Sequence, residues 1–207
     1  MLSTSVPCGG LCENENLVTS EQRVQADLAI VSRTTRWVER VVIGLGLCPF
    51  AKAVQTKGQV RYVLSKAATT EELLSDLKRE LLALAAADPT EVDTTLLIHP
   101  RVLADFHDYN DFLDDADGLL CELQLEGVLQ LASFHPDYCF AGSPADDPAN
   151  HTNRSPYPLL HLLREASITR ALETLADPNA IYERNIENLR AMDPQTLAQL
   201  LQDDSAD

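Results

Sequence analysis

The segment TTLLIHP, residues 94–100, decides the fold that we predict for this chain. It is a short run of β-branched and apolar residues, which is typical of a strand buried on both faces of a sheet. The segment GVLQLASFHP, residues 127–136, repeats this pattern and its His-Pro ending. The alternating, β-prone segment QVRYVLSK, residues 59–66, predicts another strand.

Helical segments separate these three strands. Leucines recur at helical spacing between residues 69 and 88, and apolar residues do so again between 103 and 123. Because strands that alternate with helices indicate β-α-β crossovers, we predict an α/β fold. Its small, largely parallel sheet has about three strands, 59–66, 94–99 and 127–134, and an α+β fold with a mixed sheet is the alternative.

The predicted globular domain covers residues 19–192 as a single unit. Thr19 and Gln22 form a capping-box start for a long amphipathic helix. Residues 1–18 predict a flexible tail in which Cys8 and Cys12 could hold a metal, although a disordered tail is the better interpretation. Residues 193–207 predict a short helix followed by an acidic end.

The chain is strongly acidic. Sixteen Lys and Arg against thirty-two Asp and Glu give a formal charge of −16, which disfavours nucleic acid and anionic membrane surfaces as partners. Five cysteines without a framework-like spacing, and no secretory signal, predict reduced thiols and a cytoplasmic location. We expect a small-molecule substrate, and the sequence leaves the cofactor and the oligomeric state open.

A polar loop of twenty-two residues, 136–157, follows the third strand. Loops of this length are usually functional or disordered, and its aromatic residues and prolines favour an ordered one. Since ligands of parallel sheets bind where the strands end, we predict a site at this rim.

The first hypothesis is a cysteine-dependent enzyme, either a hydrolase or a redox enzyme. Pro49 predicts a helix start that would place Cys48 at the N-cap, where the helix dipole favours a thiolate. His135 would act as the base, oriented by Asp146 or Asp147. The alternative for Cys48 is a small buried residue that fills the bend.

Substrate binding is predicted for a polar set in the second half of the loop. A helix starting at Ser155 would add its positive end to the Arg154 fork and could hold a carboxylate or phosphate. Arg154 could instead pair with Asp146 or Asp147 and pin the loop. The predicted substrate-binding residues are Asn150, Asn153, Arg154 and Ser155.

Two further hypotheses stay open. A metal-dependent enzyme would use His135, His151, His161 and Asp137, since imidazole and carboxylate suit zinc, iron or manganese. His161 and Glu165 would lie on one helix face, where an ion pair is the simpler interpretation. The third hypothesis is a non-catalytic module that binds a ligand or a partner through the loop.

Four blocks of sequence together carry a resemblance to a known family. The chain resembles the domain-of-unknown-function family 1415, found mainly in bacteria, over about residues 33–192. The resemblance implies a single intracellular domain and assigns no reaction and no catalytic residue. The blocks are GLGLCPFAKA, TTLLIHPRVLADFHDYNDFL, LQLASFHPDYCFAG and NHTNRSPYPLLHLLREAS.

Overall fold

A four-stranded mixed sheet forms the centre of the computed structural model, which describes residues 19–173 and 179–202. Its strand order is β1-β2-β4-β3. The strands are β1 (Val60–Leu64), β2 (Thr94–Ile98), β3 (Leu129–Phe134) and β4 (Leu159–Arg164). Strands β1 and β2 are parallel, and β4 runs antiparallel to both β2 and β3.

Seven α-helices lie in the described part of the chain. They are α1 (Ser20–Trp37), α2 (Ala51–Thr56), α3 (Thr70–Ala86), α4 (Phe106–Glu122), α5 (Glu165–Leu172), α6 (Asn179–Ala191) and α7 (Pro194–Gln202). A π-helical segment, Val38–Ile43, extends α1, and a 3-10 helix, Pro148–Thr152, lies in the long loop. The capping box predicted at Thr19 and Gln22 is confirmed.

Alternating side chains of the central strands build a core on each face of the sheet. Leu97 of β2 and Leu160 of β4 pack against α3 and α4. Leu96 and Leu159 pack on the other face with α1, its π-helical extension, α6 and α7. Every residue of β2 is buried, which confirms the prediction of a strand covered on both faces.

The prediction of a largely parallel three-strand sheet is only partly right. The three predicted strands are present and run in one direction, but the sheet is mixed, as in the predicted alternative. The helix predicted from Ser155 is wrong, because residues 159–164 form β4 and α5 begins only at Glu165. Leucines at 159, 162 and 163 fit helical spacing, but the run is short and lies between two strands that supply its hydrogen bonds.

The Tyr109 hydroxyl joins the ends of β3 and β4. It donates to the Leu159 carbonyl at 2.9 Å and accepts from the Phe134 N–H at 3.0 Å. Phe134 and Leu159 are the last paired residues of these strands, so the buried hydroxyl extends their ladder. The side chain thereby fixes the point at which the long loop leaves the sheet.

We expect Tyr109→Phe to lower the free energy of unfolding by about 1–3 kcal/mol, because it leaves a buried donor and a buried acceptor without their partner. Urea denaturation measures the change. Tyr182→Phe is the matched control, since Tyr182 is half exposed and should lose almost nothing. Equal stabilities for the two variants would contradict this role of Tyr109.

Candidate functional site

One pocket of about 240 Å³ brings together distant parts of the chain. The α1 helix and its π-helical extension contribute Arg33, Arg36, Trp37 and Arg40. The long loop contributes Pro136, His151, Arg154, Ser155 and Pro156, and α7 contributes Leu200. The pocket therefore lies beside the rim where β3 ends and β4 begins.

The helical wall of the pocket carries three arginines and a tryptophan. Their positions, i, i+3, i+4 and i+7, lie on one helix face, and Arg40 stands in the π-helical segment. Such segments are frequent at functional sites. The Arg36 Nη1 donates to Ser32 at 2.9 Å, whereas its buried Nε has no hydrogen-bond partner.

Arg154 of the long loop supplies a fourth guanidinium. Its Nε donates to the Tyr138 carbonyl at 3.0 Å, and its Nη2 donates to the Ala145 carbonyl at 2.6 Å. These bonds fix the side chain to the loop backbone. The predicted alternative, in which Arg154 pairs with Asp146 or Asp147, is therefore not what the structure shows.

The two aspartates have separate environments. Asp147 caps the 3-10 helix and accepts two hydrogen bonds from Arg190 of α6, at 3.1 and 2.6 Å. The Arg190 guanidinium, followed by the Ala149 N–H, lowers the pKa of Asp147 to about 2. Asp146 is exposed. The Asp147 carboxylate thus anchors the loop on α6, and its predicted role beside His135 has no contact to support it.

Asn150 and Asn153 hold the loop in shape. The fully buried Asn150 donates to the Pro144 carbonyl at 2.9 Å and accepts from the Phe140 N–H at 3.0 Å. Asn153 donates to the Ser133 carbonyl at 3.0 Å. Of the four predicted substrate-binding residues, Arg154 and Ser155 line the pocket, while both asparagines turn their amides to the backbone.

Two uncharged polar groups at the pocket are buried without a partner. They are the indole Nε1 of Trp37 and the Nδ1 of His151. Burial, and then the charge of Arg154, lowers the pKa of His151 to about 4, so its imidazole is neutral at pH 7. The Ser155 hydroxyl, in contrast, already donates to the Tyr157 carbonyl at 2.7 Å.

His135, the predicted base, is fully buried and has both ring nitrogens engaged. Its Nδ1 accepts from the Asp137 N–H at 3.0 Å, so its Nε2 carries the proton and donates to the Leu103 carbonyl at 3.2 Å. Burial lowers the pKa of this imidazole. His99 likewise donates to the Val102 carbonyl at 3.2 Å. Both histidines therefore donate to carbonyls of the turn that follows β2, in which Leu103 adopts a positive φ of 58°.

Cys48, the predicted nucleophile, is a partly buried free thiol. It is not an N-cap, because α2 begins at Ala51 and Phe50 holds the cap position. No hydrogen bond joins its sulfur to His135 among the described residues, and Cys48 does not line the pocket. The cysteine–histidine pair stays a prediction.

The alternative metal ligands are also dispersed. His161 lies on β4, where its Nε2–H donates to Thr94 Oγ1 at 2.7 Å, so it does not share a helix face with Glu165. Asp137 is exposed and His151 lines the pocket. Within residues 19–173 and 179–202, no group of three or more His, Cys, Asp or Glu residues is arranged to hold a metal ion.

Sequence reasoning missed the helical half of the pocket. Three of the sixteen basic residues of an acidic chain fall within eight positions of α1 and its extension, at helical spacing. That spacing is visible in the sequence and could have identified a basic helix face. The position of Arg154 beside this face could not be predicted from the sequence, because it depends on the path of a long loop.

The fold and the pocket define a mixed-sheet α/β protein with an arginine-rich cavity beside the sheet rim. A family model described as a protein of unknown function (DUF1415) matches residues 29–199, so the chain belongs to this family and the resemblance is confirmed. No curated protein and no solved structure gave a significant match. No helix in the described ranges is both long and apolar enough to cross a membrane.

The buried histidines predict a pH dependence of stability. Burial lowers the pKa of His99 from 6.5 to about 4, so the unfolded chain binds a proton in this interval that the folded chain does not. The contribution of His99 is fully present above about pH 6.5 and is lost as the pH falls towards 4. His151 and His161 shift in the same direction.

We therefore expect His99→Asn to flatten the dependence of the free energy of unfolding on pH between 7 and 4, measured by urea denaturation. His107→Asn, which removes an exposed histidine of α4, should retain the slope of the original protein. If the slope of the His99 variant equals that of the original protein, the proposed protonation linkage is wrong.

Proposed function

We propose that this protein binds a small metabolite carrying phosphate or carboxylate groups. The convergence of four arginines on one pocket carries the proposal. Arginine stays charged at every physiological pH, and its planar fork matches pairs of carboxylate or phosphate oxygens. The helix provides the buried, unpaired Nε of Arg36. The loop provides Arg154, whose Nε and Nη2 are held by backbone carbonyls, so that its Nη1 remains as the donor for a ligand.

The acidity of the whole chain does not oppose this proposal at close range. Interactions between exposed charges are largely screened beyond about 8 Å at physiological salt. A ligand inside the pocket therefore responds chiefly to the guanidinium groups that line it. The net charge of −16 acts at longer range, where it disfavours large polyanions such as nucleic acid.

The size and walls of the pocket favour a small organic anion. A cavity of about 240 Å³ is slightly smaller than most ligand sites, which typically measure ~300–1,000 Å³. Pro136, Pro156 and Leu200 offer apolar surface for a short carbon skeleton.

The three described cysteines are free thiols, which supports the proposed cytoplasmic location.

The proposal is limited to binding. No hydrogen bond joins Cys48 to His135, and no nucleophile–base hydrogen bond joins described residues that line the pocket. Recognition by the loop and the helical wall corresponds most closely to the ligand-binding hypothesis of the sequence. The proposed ligand is anionic, as we predicted for the substrate in the enzymatic hypothesis.

Arg36→Gln should weaken binding about tenfold to a hundredfold, because a hydrogen bond to a charged group contributes about 1.5–3 kcal/mol. Isothermal titration calorimetry at low salt, with inorganic phosphate, pyrophosphate, malate and citrate as probes, measures this change. At least one probe should bind the original protein, and its affinity should fall as salt is added.

Arg23→Gln is the matched control, since it removes the same charge from an exposed position of the same helix. Its affinity should equal that of the original protein. Failure of all four probes to bind, or equal affinities of the Arg36 and Arg23 variants, would contradict the proposed function.

A further inference from the structure

We infer that the ligand of the pocket is a phosphomonoester whose phosphoryl group contacts the indole of Trp37 and the imidazole of His151 as well as the arginines. This inference rests on the proposed function and names its ligand class. It follows from two polar groups that an arginine cluster alone does not explain.

Trp37 provides a fixed donor. Its side chain is only 7% exposed, and its ring packs edge-on against Phe134 with the centroids 5.5 Å apart. The indole nitrogen can only donate, and its N–H is buried with no acceptor. A buried donor without a partner is unfavourable, and a ligand oxygen in the pocket would satisfy it.

His151 provides a second uncharged donor. The 3-10 helix that carries it is held by Asn150 from inside the loop and by the Asp147–Arg190 pair on α6. A neutral imidazole has one donor and one acceptor nitrogen. In the tautomer with its proton on the unpaired Nδ1, it donates a hydrogen bond to a phosphoryl oxygen.

A phosphoryl group matches this set of partners better than a carboxylate. A carboxylate has two oxygens, whereas a phosphomonoester has three terminal oxygens and a second pKa of about 6. The guanidinium groups of the pocket favour its dianion, in which all three terminal oxygens accept hydrogen bonds. Three oxygens can serve the donors of the helix, Arg36 and Trp37, and those of the loop, Arg154 and His151.

The pocket also has room for the ester group. Its volume of about 240 Å³ exceeds the space of one phosphate ion, and Leu200 and two prolines line the remaining surface. We therefore place a short alcohol on the fourth phosphoryl oxygen. Inorganic phosphate would fill only the polar end.

Calorimetric titration of the full chain with glycerol 3-phosphate, inorganic phosphate and malate tests this inference. Malate carries two negative charges on a skeleton of similar size and is the carboxylate control. We expect glycerol 3-phosphate to bind at least tenfold more tightly than malate and more tightly than inorganic phosphate. Malate binding as tightly as the ester would overturn the inference and leave the proposed function standing.

Two variants test the residues that carry the inference. Trp37→Phe keeps an aromatic ring but removes the N–H, and His151→Phe keeps a ring but removes both nitrogens. Each should weaken glycerol 3-phosphate binding about tenfold and change malate binding less. Unchanged ester affinity in both variants would overturn the inference, and circular dichroism with a thermal melt establishes that each variant is folded.

The outcomes separate this inference from the proposed function. Ester and malate binding that both depend on Arg36, without preference for the ester, would support an anion site and reject the phosphoryl assignment. Equal binding of inorganic phosphate and the ester would reject the organic group. Absence of binding by every probe would reject both proposals.

Discussion

The antiparallel insertion of β4 between β2 and β3 is the constraint on which the rest of the structure depends. Because β4 begins at the edge where β3 ends, the twenty-four residues between them, 135–158, must fold back over that edge. Phe134 and Leu159 are paired across the start and end of this loop. The loop therefore stays beside the sheet, where Arg154 and His151 meet the basic face of α1.

Buried polar contacts hold the loop in a fixed conformation. Asn150 closes it from inside, and the pair between Asp147 and Arg190 fastens it to α6. His135 and Tyr109 hold its first residues at the end of β3. Since backbone groups and the Arg190 guanidinium satisfy these side chains, the loop brings its histidine and arginine to the pocket in defined positions.

Much of the fold could be predicted from the sequence, because its signals are local. The β-prone segments gave three strands, and the capping box at Thr19 placed the start of α1. The helix predicted for the segment LLHLLR, residues 159–164, is wrong, because a run of six mostly apolar residues fits both a helix and a buried strand. Only pairing with β2 and β3, which is a tertiary contact, decides between these two structures.

The candidate site could be predicted only in part, because its residues come together through tertiary contacts. Arg154 and Ser155 could be assigned to an anion site from their chemistry, and both line the pocket. The roles of Asn150 and Asp147 could not be predicted, because they depend on hydrogen-bond partners that lie in other parts of the fold. The spacing of the arginines in α1 indicates a basic helix face. The pocket could not be predicted, because Arg154 lies far from these arginines in the sequence.

A crystal structure of the protein grown with glycerol 3-phosphate would locate the ligand. We expect a phosphoryl group between the guanidinium groups of Arg36 and Arg154, with one oxygen within about 3 Å of the Trp37 indole nitrogen and another near the His151 ring. An empty pocket at saturating ligand, or a ligand bound at another surface, would show that this pocket is not a phosphomonoester site.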